Sequence, residues 1–155
     1  MSRIHAKAER IIDAEPAEVW AALTDYTQAR PRILPDNYLD YHAELGDGES
    51  GATLTYRLRA GGRERGYRMR VEEVTPGLEL IERDELSTFT TSWLMERVGP
   101  GDHTRIRLAS EWDSRATGVS GFFERRFAPG GVRRIHEETL IRLGQFMRER
   151  QPTTV

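Results

Sequence analysis

The chain of 155 residues contains no cysteine. That single absence excludes disulfides, thiolate metal sites and cysteine nucleophiles together. Lysine is nearly absent as well. Lys7 is the only one, and the rest of the positive charge is arginine, a pattern that reads as coding bias before it reads as a phosphate-binding device. Long apolar runs are also missing. The longest stretches, such as "VWAAL" at 19–23, fall far short of the ~20 residues that cross a bilayer, so no integral membrane association is expected. The opening "MSRIHAKAER" lacks the apolar centre of a secretory signal, which makes cytoplasmic residence the default expectation. Nor is there an excess of one charge: the formal net charge of -2 gives no global attraction to nucleic acid, and no nucleic-acid partner is expected.

What is present is a clear succession of periodicities. In "RIHAKAERIIDA", Ile4, Ala6, Ala8, Ile12 and Ala14 recur at period two, as in a half-buried strand. "EPAEVWAALTDY" then places Pro16 at a first helical position, with Glu15 and Glu18 near the helix N-terminus. Pro31 and Pro35 allow at most one further short helix. The next eighty or so residues alternate in apolar phase, with turn signals at "GDGESG", "AGGRERG", "TPG" and "GPGDH". The residues between the apolar positions include Arg57, Arg59, Arg68, Arg70, Arg105 and Arg107, which predicts a meander with one apolar and one charged face. Two less regular strands are expected in "YLDYHAEL" and "LELIERDEL". At the end, "GFFERRF" predicts a short helical turn, "APGG" an interruption, and "VRRIHEETLIRLGQFMRER" a long helix with an apolar stripe. No repeat or linker divides the chain, so a single domain over 1–155 is expected.

Several chemical motifs are approached and missed. "LGDGESG" contains a literal G-x-G-x-x-G in Gly46, Gly48 and Gly51. A dinucleotide fingerprint needs a helix opening at its end, whereas a strand pattern follows Gly51, and Asp47 and Glu49 would repel a pyrophosphate. "HEETL" at 136–140 begins like a zinc-protease helix, but Leu140 stands where the second histidine belongs. No metal and no cofactor are expected. There is no G-x-S-x-G, since "GVSGF" lacks the spacing, and paired carboxylates on the apolar faces are not evident. His136 lies inside the apolar arc of the last helix; it is either a core histidine satisfied locally or a polar anchor in a pocket. The six-arginine stretch "YRLRAGGRERGYRMR" reads mainly as a solvated sheet face.

Strand, two short helices, six antiparallel strands and a long C-terminal helix is the element order of the α+β helix-grip fold. Through "IIDAEPAEVWAALTDY", "SGATLTYRL", "VEEVTPGLEL" and "TSWLMERVGPGDHTRIRLASEW", the chain resembles the START/Bet v 1-like (SRPBCC) superfamily, in its polyketide cyclase/dehydrase and lipid-transport-like branch. The resemblance covers essentially the whole chain. "DYTQARPRILPDNY" is also similar to ubiquinone-binding relatives of the same fold. The resemblance implies a curved sheet of about seven strands, with the last helix over its concave face and an apolar ligand between them. Mapped by strand and helix phase, it implies a lining of Tyr56, Tyr67, Met69, Trp93, Met95 and Trp112 from strands, and Ile135, His136, Thr139 and Leu143 from the helix. The expected function is binding of a hydrophobic lipid-, polyketide- or isoprenoid-like small molecule. A cyclase/aromatase- or dehydratase-type enzyme using the same cavity, and a module binding through the arginine-bearing face, are the rival readings; catalytic residues and oligomeric state stay open.

Overall fold

The computed structural model describes residues 2–46, 51–60, 62–114 and 118–150. Seven strands form one sheet: β1 (Ser2–Ile12), β2 (Tyr38–Glu44), β3 (Thr53–Ala60), β4 (Arg63–Thr75), β5 (Glu79–Asp84), β6 (Thr90–Arg97) and β7 (Thr104–Ser114). Two short helices, α1 (Pro16–Leu23) and α2 (Ala29–Arg32), follow β1, and α3 (Gly118–Arg150) closes the chain. The spatial order is β1-β7-β6-β5-β4-β3-β2, every neighbouring pair being antiparallel. The fold is the α+β helix-grip arrangement that the element order implied.

Alternation does most of the local work. Ile4, Ala6, Ala8 and Ile12 of β1 are buried, as are Leu54, Tyr56 and Leu58 of β3 and Ile106, Leu108 and Trp112 of β7. Their neighbours of opposite phase form the outer face, where arginine meets carboxylate repeatedly: Arg57 with Asp40 and Glu64, Arg68 and Arg70 with Glu85, Arg105 and Arg107 with Glu9. Exposed pairs of this kind contribute little each, about 0.2–1 kcal/mol, but they leave the arginine-rich face electrically balanced.

The connections are set by a few residues. Glu15 is extended at the α1 N-cap with Pro16 behind it, and Thr24 Oγ1 donates to the Trp20 carbonyl where the helix stops. Val19, Ala22 and Leu23 are the buried side of α1. Gly62 and Gly77 take positive φ values of 77° and 84° in the β3–β4 and β4–β5 turns, a region other side chains rarely adopt. In β2, the irregular strand, the register slips between Leu39 and His42, and Asp40 has a φ of 55°.

One expectation needs correction. "APGG" does not interrupt the last helix: α3 runs without a break from Gly118 to Arg150 with Pro129 inside it. A proline removes one intrahelical hydrogen bond and each glycine costs roughly 1 kcal/mol in propensity. Burial of Val132, Ile135, Leu140, Leu143 and Met147 outweighs both, since each such side chain contributes about 1.5–3 kcal/mol. The G-x-G-x-x-G loop lies partly outside the described residues, Gly48 among them, but Gly51 is described and leads straight into β3. A Cβ at Gly51 would sit 2.2 Å from the Val71 carbonyl oxygen. This glycine permits close approach of two backbones rather than phosphate binding.

Candidate functional site

The concave face carries two environments that differ in how much room they leave. The first is a closed polar centre. Arg30 of α2 and Glu82 of β5 are each only 3% exposed, and Arg30 Nη2 donates to Glu82 Oε2 at 2.7 Å. Arg30 Nε donates to the Leu23 carbonyl at 3.1 Å, and Trp93 Nε1 donates to the same Glu82 oxygen at 3.1 Å. The guanidinium carbon lies 4.7 Å from the Trp93 ring centroid. Burial by itself pulls the Arg30 pKa down, but the charge and hydrogen bond of Glu82 more than offset it, and the net direction is upward. Arg30 is therefore a fixed cation.

Beside this pair, Thr91 Oγ1, Ser110 Oγ and His136 Nε2 form a chain of two 2.7 Å contacts. His136 is 2% exposed, and its Nδ1 has no hydrogen-bond partner. An orphan acceptor is tolerated better than an orphan donor, so the tautomer with the proton on Nε2, donating to Ser110, is the cheaper one. Desolvation pushes the His136 pKa down to about 4, so the ring is neutral at physiological pH. Desolvation likewise raises the pKa values of Tyr38 and Tyr56. The gap enclosed by Arg30, Tyr38, Tyr56, Glu82, Trp93, His136 and their neighbours measures about 10 Å³, roughly the space of one water.

The second environment is open. A pocket of about 440 Å³ lies between the far end of the β3–β4 hairpin, the β5–β6 loop, the end of β7 and α3. Leu58, Tyr67, Phe89, Trp112, Ala128 and Val132 supply its apolar wall, and Arg63, Glu64, Arg65, Leu86, Ser87, Thr88 and Asp113 its polar parts and rim. The loop is pinned from below. Asp84 accepts from the Arg68 backbone N–H at 2.9 Å and from Ser87 Oγ at 2.5 Å, while Thr88 Oγ1 accepts from the Asp113 backbone N–H at 2.9 Å.

An aromatic series joins the two environments. Tyr38–Tyr56, Tyr56–Tyr67, Tyr67–Phe89 and Phe89–Trp112 have ring centroids 5.0, 5.9, 4.7 and 5.6 Å apart, within the range of favourable ring contacts. Tyr56 and Tyr67 are directly paired across β3 and β4, Tyr38 and Trp112 come from β2 and β7, and Phe89 of the β5–β6 connection links Tyr67 to Trp112.

The ten residues expected to line a cavity are thereby divided. Tyr67 and Trp112 border the open pocket; Tyr56, Trp93 and His136 border the small closed gap. Met69, Met95, Ile135, Thr139 and Leu143 border neither and are packed in the core. Thr139 Oγ1 turns back to the Ile135 carbonyl at 2.7 Å. Phase identifies the inner face, but it does not say where along that face packing leaves space.

Sequence reasoning missed the Arg30–Glu82 pair, and the expectation that the apolar faces show no evident paired carboxylates is corrected by Glu82 and Asp84. Glu82 and Asp84 share the inward phase of Leu80, and all three are buried. That spacing was the available signal. Arg30 had none beyond its place in a proline-broken helix. Among the described residues, no group of three or more acidic or histidine side chains could hold a metal ion.

No functionally curated protein matches the chain. Among solved structures, the KanY protein is 35% identical, covers 96% of this chain and 99% of its own, and superposes with a TM-score of 0.80. The Zhui aromatase/cyclase from Streptomyces sp. R1128 is similar at 15% identity, 97% coverage of both chains and a TM-score of 0.66. A START superfamily protein from Mycobacterium smegmatis is similar at 14% identity, 94% coverage of this chain, 95% of its own and a TM-score of 0.62. The last two likenesses speak to fold alone. The family model for polyketide cyclase/dehydrase and lipid transport proteins matches residues 3–147. With a helix-grip sheet, a gripping helix and a family match over nearly its full length, this chain belongs to the polyketide cyclase/dehydrase and lipid transport family.

Proposed function

We propose that the protein binds a hydrophobic small molecule, flat and at least partly aromatic, in the pocket bordered by Tyr67, Phe89 and Trp112. The observation that carries this reading is the pocket itself: about 440 Å³ of space reached by three aromatic rings in tilted contact. Small-molecule sites run from roughly 300 to 1,000 Å³ and are mostly apolar with a few polar groups, and this one suits a ligand of about two or three fused rings. Ser87, Thr88 and Asp113 stand among its polar lining.

The enzyme reading has less support. A general acid or base works best with a pKa near the working pH and must reach the reacting atom. His136 titrates near 4, the Tyr56 phenol is pushed well above its usual value, and both lie at the closed gap rather than the open pocket. Binding needs no such group. The arginine-face reading is weakened by the ion pairs that already occupy Arg57, Arg68, Arg70, Arg105 and Arg107.

The direct test is titration with 9-anthracenemethanol, a neutral three-ring probe, followed by protein tryptophan fluorescence, beside native mass spectrometry of protein purified gently from its own host. Saturable quenching that is lost in Trp112→Leu, together with a co-purifying small molecule, is the expected result. If no molecule co-purifies and the probe gives no saturable quenching, the reading falls.

A further inference from the structure

Arg63 and Arg65 differ from the other arginines of the sheet in phase and in company. In the regular β3–β4 register, Tyr67 pairs with Tyr56, Arg65 with Leu58, and Arg63 with Ala60. Positions 63, 65, 67 and 69 therefore share one face of β4, and Met69 on that face is fully buried. The same face that forms the core continues outward as Tyr67 and then as two arginines, both exposed and both on the pocket. An inward phase is an unusual place to put two like charges.

Neither arginine has a carboxylate to answer it among the described residues. The carboxylates on the pocket are committed elsewhere: Glu64 to Arg57 and Arg59, Asp113 to Arg3. The contact that Arg65 does make is with the Tyr67 ring, 5.8 Å from guanidinium carbon to centroid. That places a cation directly against the aromatic wall of the site. An apolar pocket with two unanswered guanidinium groups at one end is complementary to an amphipathic anion, because guanidinium pairs with carboxylate or phosphate through paired N–H donors.

We propose that the ligand of this pocket carries an acidic group, a carboxylate or phosphate, which is held at the mouth by Arg63 and Arg65 while its ring system lies against Tyr67, Phe89 and Trp112. This rests on the pocket reading above and adds the chemical class of the ligand. It also gives the binding a direction: the acid remains at the solvent end and the rings enter first. Because the ion pair forms at the exposed rim, its strength falls as salt rises, whereas the apolar part of binding does not weaken in that way.

The test compares 9-anthracenecarboxylic acid with 9-anthracenemethanol by calorimetry, on the wild type, on Arg63→Gln/Arg65→Gln, and on the outer-face control Arg68→Gln/Arg70→Gln. The wild type is expected to prefer the acid on the order of tenfold, as charge-assisted contacts at a partly exposed site allow. The inner double variant should lose that preference with its alcohol affinity intact, and the outer control should keep it. Equal affinity of acid and alcohol in the wild type overturns the inference and leaves the pocket reading standing. So does a preference that survives in the inner double variant. Binding of neither probe defeats the pocket reading and the inference together. A phenyl phosphate and a naphthyl phosphate arm separates carboxylate from phosphate selectivity. Should vesicles of phosphatidylglycerol capture the protein through Arg63 and Arg65 while the acid preference is absent, the arginines serve a membrane surface and the inference falls.

Discussion

His136 is a buried imidazole whose surroundings favour the neutral form, and this couples folding to pH in a definite direction. With a folded pKa near 4 against about 6.5 in the unfolded chain, the unfolded state binds more protons between those values. Stability is then fully present above pH 6.5, falls as pH drops through the window, and levels off below pH 4. The loss attributable to this group at pH 5 relative to pH 7 is about 2 kcal/mol. Urea denaturation of wild type and His136→Gln at the two pH values should show a clearly smaller pH effect in the variant. An unchanged pH dependence would mean that the ring is solvated or already charged in the folded protein.

Arg30 and Glu82 pose the opposite case, since there the charges are kept. Two ions withdrawn from water are costly, and their mutual contact offsets that cost only while both are present. Removing one partner leaves the other buried and unpaired. Glu82→Leu and Arg30→Met are each expected to lower stability by about 3–5 kcal/mol, while the double change Arg30→Met/Glu82→Leu should recover much of it. Thermal melts of the three variants decide this. Additive losses in the double variant would show that the two side chains contribute independently. The pairing itself was not legible from local pattern. The partners are 52 residues apart in the chain, and alternation flags Glu82 as inward without naming what neutralises it.

At the scale of elements, strands were far more legible than the helix that covers them. Period two survives in β1, β3 and β7 because each buries one face and wets the other, so the physical constraint is written at every second residue. In α3 the constraint is tertiary. Pro129 and Gly130 argue locally for a break, and only the buried stripe from Val132 to Met147 keeps the helix whole. Pro129 therefore sits in α3 at a cost, and Pro129→Ala is expected to raise the stability of the protein by about 1–3 kcal/mol. A chemical denaturation midpoint that falls instead would show that the proline is needed where it stands, for example to shape the neighbouring pocket wall at Ala128. Gly51 works the other way. It reads as one glycine of a nucleotide motif, yet its lack of a side chain matters because Ala52 accepts the Val71 backbone N–H at 2.9 Å and leaves no room beside it.

At the scale of the whole molecule, the question is why space appears at one end of the sheet and not along its middle. The middle is filled: Met69, Leu80, Met95, Ile106, Leu108, Leu140 and Leu143 are all essentially inaccessible, and the Arg30–Glu82 pair, Trp93 and His136 close what remains. Beside Trp112 the pocket opens, and among the described residues its α3 wall consists of two modest side chains. There Ala128 and Val132 face Leu58, Tyr67 and Phe89 across the pocket. Strand phase could not have located this opening, because it depends on the volumes of residues brought together from β3, β4, β7 and α3. If the opening is the ligand site, filling it should abolish binding without harming the fold. Ala128→Phe adds a ring to a half-buried helical position on the pocket wall, at a propensity cost of well under 1 kcal/mol. Affinity for 9-anthracenemethanol is expected to fall by at least about tenfold, the loss of roughly 1.4 kcal/mol, with the melting temperature nearly unchanged. Leu94→Ala, on the exposed outer face of β6, should leave the affinity as it was. Unaltered binding in Ala128→Phe would place the ligand somewhere other than between the aromatic wall and α3.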